Sequence, residues 1–344
     1  MLTVDLNKVC NNWKKCRDIT GRPPAVVVKS NAYGLGVLQI AKALARKGCN
    51  KFYVMMTDEG VALRNVVGDA EIFLLGGFRR VQDFENIIKY NLIPILSSAK
   101  QIDLWNKCRG AGRSGSRKCG LHLFTGMRRV SIEESDAKHA LDLFGDDIVN
   151  VMSHIACADT GPDFESNKHQ LAEFSRLAEM FPNAEKSLAA SGYRTLGQEY
   201  WFDHVRLGYG LYHDAIKWDI EIVQVQKVFA GDTVGYGNEF VFKHDGMMAT
   251  ADLGYASGLM RSAAKGNMHG FIGDYPVPLV GRVSMDLATF DVSNVPRKIL
   301  DRAAHIELIG PHQTLDEFAM GTGTIGYEVL TNHALQYGDI EYKI

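Results

Sequence analysis

Short apolar runs alternate with longer amphipathic segments between residues 25 and 207. Such alternation predicts β-α-β units whose strands lie parallel in one sheet. Helical segments such as Val81–Tyr90 and Lys168–Met180 separate the runs. The eight predicted strands are Ala25–Val28, Phe52–Met56, Glu71–Leu75, Ile93–Leu96, Leu121–Phe124, Val149–Ser153, Ser187–Ala190 and Val205–Leu207.

Eight such units predict a closed (β/α)8 TIM barrel, whose active site lies at the carboxyl ends of the strands. An open doubly wound sheet is the alternative. It is disfavoured because no Gly-x-Gly-x-x-Gly motif follows the first strand. The fold class predicted for this half of the chain is therefore α/β.

The pattern changes near residue 218, where short strand-like runs follow one another with Gly, Asp and Pro between them. Only one later helix is predicted, at Leu315–Met320. We therefore expect a barrel over residues 1–217 and a mostly-β domain over residues 218–344. Residues 1–11 begin like a strand and are a candidate partner for the β-domain. The predicted β-domain strands are Glu221–Val228, Asp232–Val241, Met247–Leu253, Val277–Val283 and Leu287–Val292.

Composition excludes several classes of partner. The 344 residues carry a net charge of −2, which gives no reason to expect binding to nucleic acid or to a membrane surface. We see neither a membrane-spanning stretch nor a signal peptide. The six cysteines form no Cys-x-x-Cys pair and no zinc spacing, so we expect reduced thiols, a cytoplasmic protein and no metal.

The first predicted strand ends in Lys29, which is followed by Ser30, Asn31, Ala32, Tyr33 and two nearby glycines. A lysine at the mouth of a buried strand has a desolvated stem and an open amine, so it loses its proton easily and forms Schiff bases. Tyr33 offers a hydroxyl to an anion. The alternative is that Lys29 only faces water at the barrel rim.

Polar side chains also end other predicted strands. The loops after strands seven and eight carry Ser191-Gly192 and Gly208-Tyr209-Gly210, small residues whose backbone N–H groups can face an anion. Barrels of this type commonly bind phosphate in these loops. A lysine on strand one and a phosphate cradle across the barrel mouth suggest a phosphorylated aldehyde bound as an imine. The other strand-end residues are Thr125, His154 and Arg206.

Seven motifs in sequence order are similar to those of one enzyme family. They are Val28–Gly34, Thr125–Arg129, Ser153–Asp159, Val205–Gly208, Leu253–Gly258, Gly281–Asp286 and Gly323–Glu328. Together they make the chain resemble the alanine racemase family, which uses pyridoxal 5'-phosphate (PLP) and joins a barrel to a C-terminal β-domain. The resemblance implies an isomerase that interconverts L-alanine and D-alanine, supplying D-alanine for peptidoglycan.

The resemblance implies two bases. Lys29 holds the cofactor as a Schiff base and serves one face of the substrate, and Tyr255 serves the opposite face. An unperturbed tyrosine has a pKa of about 10, so it needs cationic neighbours to act near neutrality. Arg129 and His154 match the family's neighbours. On residues alone, Tyr255 is also explained as a packed aromatic side chain in a glycine-rich turn.

The same resemblance assigns the remaining site residues. Arg206 donates to the pyridine nitrogen, and because arginine keeps its proton, that nitrogen stays largely unprotonated and transamination is disfavoured. His154 packs near the ring, and Arg129 and Met285 bind the substrate. Tyr255 and Met285 reach the site from the other subunit of a head-to-tail homodimer. The implied phosphate ligands are Ser191, Tyr33, and the backbone of Gly208 and Tyr209.

Some positions depart from the family pattern. His122 stands where many members have a lysine, often carbamylated, and Phe124 replaces an aspartate. Two acidic functions near Arg129 are thus missing, and we expect a bound anion such as chloride, or another carboxylate, to compensate. Leu335 replaces the site-closing tyrosine of some members, so we expect a wider access channel.

Three other functions remain open from sequence. The first is the same chemistry on serine or on a broader range of amino acids. The second is a decarboxylase of the same barrel type, which needs an acidic partner for the pyridine nitrogen; Arg206 argues against it. The third is a non-catalytic PLP carrier. Related carriers end after the barrel, whereas this chain continues to Tyr255 and Met285.

Overall fold

A computed structural model describes residues 1–110, 117–333 and 340–344. Leu335 therefore lies outside the described residues. The chain forms two compact units. The first comprises Met1–Lys8, Tyr33–Gly36 and Tyr212–Ile344, and the second comprises Val9–Ala32 and Val37–Leu211.

The second unit is a parallel eight-stranded barrel. The first seven strands pair in parallel in sequence order, and the first also pairs with the last, Ala25 lying beside Arg206. A hydrogen bond of 3.1 Å from Arg206 N to Ala189 O links the two ends of the sheet. In order, the barrel strands are Ala25–Val27, Lys51–Val54, Glu71–Leu74, Leu92–Leu96, Cys119–His122, Ile148–Met152, Glu185–Ser187 and Arg206–Leu207.

The helices pack around this barrel because each has an apolar face. Val37–Arg46, for example, buries Ile40, Ala41 and Leu44 at helical spacing. No helix in the described ranges is long and apolar enough to cross a bilayer. The helices from the N-terminus to the end of the barrel are Leu6–Thr20, Val37–Arg46, Thr57–Val67, Phe84–Lys89, Ala99–Arg109, Glu134–Phe144, Glu165–Ala178, Tyr193–Leu196 and Tyr209–Tyr212.

The first unit is built on a second, largely antiparallel sheet. The first part of the long strand Ile216–Val228 lies between Leu2–Asp5 on one edge and His305–Ile309 on the other. Its last part pairs with Gly246–Ala251, and a bulge near Ile222 lets it change partner. In sheet order the strands are Gly246–Ala251, Ala288–Asp291, Tyr275–Val280, His269–Ile272, His305–Ile309, Ile216–Val228, Leu2–Asp5 and Ile340–Lys343. The helices of this part are Arg297–Leu300, Leu315–Thr322 and Gly326–His333.

The predicted fold class, a (β/α)8 barrel followed by a mostly-β region, is confirmed. One predicted strand is wrong: Asp232–Val241 is two short strands, Thr233–Val234 and Phe240–Val241. The break lies at Gly235 and Gly237, whose φ angles of 69° and 79° turn the chain back on itself. The strands His269–Ile272 and His305–Ile309 were not predicted from sequence.

Candidate active site

Lys29 follows the first barrel strand directly and is half-buried. Burial of its stem lowers the pKa of its amine, and the positive charge of Arg129 lowers it further. The carboxylate of Glu59 acts in the opposite direction. The net direction is the one that a nucleophilic or proton-accepting lysine needs, because only the neutral amine has a free lone pair.

The chain after Lys29 forms a left-handed turn. Ser30, Asn31 and Ala32 have φ angles of 53°, 55° and 54° with ψ near 50°. This conformation costs an L-residue about 1–2 kcal/mol, so the turn is strained. Asn31 closes it by accepting a hydrogen bond from Val37 N at 2.9 Å, at the start of the next helix. The sequence predicted a turn here but not its handedness.

Arg206 is the first residue of the last barrel strand and is 3% exposed. Its Nη1 donates to Ser187 O and Oγ, both at 2.7 Å, and its Nη2 donates to Ser153 O at 2.6 Å. Burial lowers the pKa of the guanidinium to about 10, so it remains a cation near neutrality. Its Nε makes no hydrogen bond within the described residues, which leaves one donor for a ligand.

His154 and His122 both lie beside Arg206 and Arg129. Burial, and then the charges of those arginines, lower the pKa of each imidazole to about 3. Both rings are therefore neutral near pH 7. His154 Nδ1 lies 3.4 Å from Arg206 Nη2. A neutral ring there adds no charge beside the buried cation.

Gln170 fixes the segment that carries His154. It is 1% exposed, and its Nε2 donates to His154 O at 2.9 Å and to Thr125 Oγ1 at 3.2 Å. Its Oε1 accepts from Ala156 N at 2.9 Å. Sequence reasoning missed this residue; the available signal was a polar side chain on the apolar face of the helix Glu165–Ala178.

Ser191 lies where two backbone donors converge. Its Oγ accepts hydrogen bonds from Gly208 N at 3.2 Å and from Gly210 N at 3.1 Å. Space there is limited: a Cβ on Gly210 would lie 3.0 Å from the side chain of Leu207 and 3.6 Å from Ser191 Oγ. Tyr209 lies between the two glycines. These N–H groups and the hydroxyl form a cradle that suits an anion.

Arg129 is exposed, and its guanidinium has no ion pair or hydrogen bond among residues 1–110, 117–333 and 340–344. Phe124, at the position of the expected aspartate, instead packs against Arg128, whose guanidinium lies 4.7 Å from the ring centre. The neighbouring Arg128 also lies 3.8 Å from Glu133. Arg129 is therefore the cation that is open to a ligand.

Two loops of the first unit hold Tyr255 and Met285 side by side. Tyr255 N donates to Ser284 O at 3.0 Å, and Ala256 N donates to Met285 O at 2.9 Å. Gly254 allows this approach, because a Cβ there would lie 2.1 Å from Met285 O. Tyr255 and Met285 remain 45% and 54% exposed in the isolated chain.

Tyr33 is buried in the first unit. Its ring centre lies 5.3 Å from that of Tyr212 and 6.1 Å from that of Tyr327. Burial raises the pKa of its hydroxyl, with a smaller contribution from Tyr327, so the group stays protonated and can donate.

Comparison with known proteins identifies the family of the chain. The family model of the alanine racemase N-terminal domain matches residues 4–215, and that of the alanine racemase C-terminal domain matches residues 215–338. The chain belongs to the alanine racemase family.

Curated alanine racemases share the whole length of the chain. The biosynthetic alanine racemase of Agrobacterium fabrum is 36% identical over 98% of this chain and 92% of its own length. The alanine racemase of Rhodospirillum rubrum is 39% identical over 98% of this chain and 94% of its own length. The crystal structure of the Bartonella henselae alanine racemase with covalently bound pyridoxal phosphate has 29% identity, covers 100% of this chain and 98% of its own, and has a TM-score of 0.89.

Within this alanine racemase family fold, the residues predicted from sequence form two groups. Lys29, Arg129 and Arg206 all act electrostatically on His154, so these four lie together in the barrel. Ser191, Gly208 and Tyr209 lie on the same unit at the ends of the last strands. Tyr255, Met285 and Tyr33 belong to the other unit.

Proposed function

We propose that this protein is a PLP-dependent racemase that interconverts L-alanine and D-alanine. The observation that supports this most directly is that a buried arginine cation, Arg206, and a lysine of lowered pKa, Lys29, both act electrostatically on His154. The names of the full-length relatives agree with it. The racemase class also agrees with Arg206, since a decarboxylase of this type needs an acid there.

The barrel residues suit pyridoxal phosphate by the chemistry of their donors. Lys29 supplies the amine that would bond to its aldehyde, and Arg206 Nε is the free donor for its pyridine nitrogen. Ser191 with the N–H groups of Gly208 and Tyr209 would hold the phosphate, and we assign the hydroxyl of Tyr33 to the same anion. When bound, this cofactor withdraws electrons from the substrate amino acid and makes its Cα–H bond acidic.

Racemisation needs one proton acceptor on each face of Cα. We propose that the Lys29 amine takes or returns the proton on one face. We assign the other face to the phenol of Tyr255 of the partner subunit. Burial and Arg129 favour the neutral form of Lys29, which is the form that accepts a proton.

Arg206 would determine the protonation state of the pyridine nitrogen. Because the guanidinium keeps its proton at neutral pH, it donates a hydrogen bond but does not protonate that nitrogen. By leaving that nitrogen neutral, Arg206 would limit the electron withdrawal that the cofactor supplies. We therefore expect little transamination beside racemisation. His154, neutral and half-buried, would pack near the ring.

We propose that Arg129 and Met285 bind the substrate. The exposed, unpaired guanidinium of Arg129 suits a carboxylate. In place of the acidic groups missing at His122 and Phe124, a bound anion such as chloride, or another carboxylate, would orient Arg129. The domain roles follow: residues 1–217 would hold the cofactor, and residues 218–344 would supply Tyr255 and Met285.

We infer a head-to-tail homodimer with shared sites. Tyr255 and the neighbouring Met285 are 45% and 54% exposed in the isolated chain. A patch of this kind marks an interface more often than free surface. We also propose a cytoplasmic enzyme that makes D-alanine for peptidoglycan, and the free thiols of all six cysteines suit a reducing compartment.

The test is a panel of L-amino acids in D2O, followed for exchange at Cα and for the opposite enantiomer. We expect D-alanine to form from L-alanine with the wild-type protein and not with Lys29→Ala. Lys42→Ala, on the exposed face of the helix Val37–Arg46, is the matched control and should keep full activity. If the wild-type protein yields no D-alanine, the proposal is wrong; faster turnover of serine would change only the substrate.

A further inference from the structure

Glu59 lies in the first turn of the helix Thr57–Val67, one strand away from Lys29. Its Oε2 accepts hydrogen bonds from Met55 N at 2.6 Å and from Met56 N at 2.9 Å. Its Oε1 accepts a hydrogen bond from Ser30 N at 2.6 Å. One carboxylate therefore binds backbone donors from two different βα loops of the barrel.

Helix capping explains only half of this arrangement. A glutamate at this position commonly reaches back to the N–H before its helix, as Oε2 does. The bond from Ser30 N is different, because Ser30 belongs to the loop of the neighbouring strand. It is also the residue directly after Lys29 and the first of the left-handed turn.

A left-handed turn of non-glycine residues persists only when its surroundings determine it. Two side-chain contacts do so here: Asn31 Oδ1 accepts from Val37 N at the far end, and Glu59 Oε1 accepts from Ser30 N at the Lys29 end. The Glu59 contact is charge-assisted and short, and therefore the stronger of the two.

We propose that Glu59 is a positioning residue that clamps the left-handed turn and thereby fixes the direction in which Lys29 presents its amine. This inference rests on the proposed function of Lys29. The negative charge of Glu59 also opposes the effects of burial and Arg129 on the pKa of Lys29. Glu59 thus acts on both the place and the protonation of one amine.

Three substitutions separate these effects. Glu59→Gln removes the charge and replaces one acceptor by a donor that faces a backbone N–H. Glu59→Asp keeps the charge but is one methylene too short to reach both loops. Asp58→Asn is the matched control, since Asp58 is an exposed carboxylate in the same helical turn.

Two measurements use cofactor-free protein. The first is the rate at which acetic anhydride labels Lys29 as a function of pH, read by peptide mass spectrometry. The second is amide hydrogen exchange at Ser30. We expect Ser30 exchange to quicken by about tenfold or more in both Glu59 variants, because its acceptor is lost. We expect the Lys29 labelling profile to move to lower pH in Glu59→Gln. Asp58→Asn should match the wild type in both.

The third measurement is racemisation by the cofactor-loaded enzyme. Misplacement of a reacting group by about 1 Å costs up to about 100-fold in rate. We expect kcat to fall by about tenfold or more in both Glu59 variants with KM changed far less.

If Glu59→Asp keeps the wild-type kcat and Ser30 exchange, charge alone matters and the clamp is refuted. If Glu59→Gln also matches the wild type, Glu59 is only a helix cap. Should Glu59→Gln fail to fold by circular dichroism, Glu59→Asp decides the question. A wild-type protein that does not racemise alanine overturns the proposed function, whereas labelling and exchange still test the clamp.

Discussion

At the residue scale, we expect Gly254 to be as important for activity as Tyr255, the residue that follows it. A Cβ at this position would lie 2.1 Å from Met285 O and 2.4 Å from Asp286 N, which are backbone atoms that cannot rotate away. We expect Gly254→Ala to separate the Tyr255 and Met285 loops and to lower kcat by about tenfold or more. Gly110→Ala is the control, because among the described residues the nearest atoms to a Cβ there lie at 3.7 Å and beyond, an ordinary contact distance. Unchanged kcat in Gly254→Ala would show that the loops tolerate separation.

Single residues were predictable from sequence where their chemistry is tied to a strand end. Lys29 follows an apolar run and Arg206 lies within a short one, and in the closed barrel both act electrostatically on His154. Glu59 was not predictable, because the partner that matters most, Ser30 N, belongs to another loop. Gln170 stood out as a polar residue on an apolar helix face, but its partners near His154 did not. Nothing in the spacing of two residues along the chain tells which N–H groups the closed barrel will bring to a carboxylate.

At the element scale, a cluster of charges joins the amino ends of three barrel strands. Lys51 forms ion pairs with Glu71 and with Glu185, the latter at 2.9 Å, and all three are the first residues of their strands. These hydrogen bonds raise the pKa of Lys51 despite its burial. Two residues after Lys51 on the same strand, Tyr53 shares a hydrogen bond of 3.0 Å with His204.

We expect Lys51→Met to lower the free energy of unfolding by about 1–3 kcal/mol, because two carboxylates would then face each other unpaired. This expected loss in the free energy of unfolding is smaller than for a fully buried ion pair, since the side chains of Glu71 and Glu185 are 36% and 42% exposed. Urea unfolding is the measurement, with Lys42→Met as the exposed control. Racemisation should be unaffected, because the cluster lies at the amino ends of the strands, the end opposite that of the candidate site. A variant as stable as the wild type would show that the cluster contributes nothing.

At the scale of the whole molecule, periodicity predicted the barrel well because each strand is a separate apolar run between amphipathic helices. The second sheet was harder. Its longest strand, Ile216–Val228, changes partner at a bulge. His305–Ile309 alternates polar and apolar residues as strands do, but over only five residues, so the signal is weak. The strand Leu2–Asp5 joins this sheet from the far end of the chain. Its strand-like residues made it a candidate partner for this domain, but the local pattern does not tell which strand it pairs with.

Three buried histidines should make stability depend on pH. Burial holds the pKa of His122, His154 and His204 at about 3 in the folded protein. In the unfolded chain the ordinary value is about 6.5, so between these values the unfolded state binds more protons. The contribution of these histidines to the free energy of unfolding is fully present above about pH 6.5. It is lost as the pH falls toward 3, by about 1.4 kcal/mol per pH unit for each histidine.

Urea unfolding at several pH values between 4 and 7 measures this slope. We expect His204→Gln to reduce it by one histidine's share, whatever the substitution does to stability at pH 7. His139→Gln is the control, because the His139 side chain is 53% exposed. An unchanged slope in His204→Gln would contradict a neutral buried His204.

If each active site is shared between two subunits, two inactive variants should complement each other. If Lys29 of one subunit works with Tyr255 of its partner, then Lys29→Ala and Tyr255→Phe proteins are each nearly inactive alone. Coexpression should restore about a quarter of wild-type activity, because about half of the dimers are hybrids and each hybrid has one complete site of two. The control is Lys29→Ala coexpressed with a variant that carries both Lys29→Ala and Tyr255→Phe. It should stay inactive, because no subunit then has Lys29. If both bases came from one subunit, every hybrid site would lack one of them, and mixing would restore nothing.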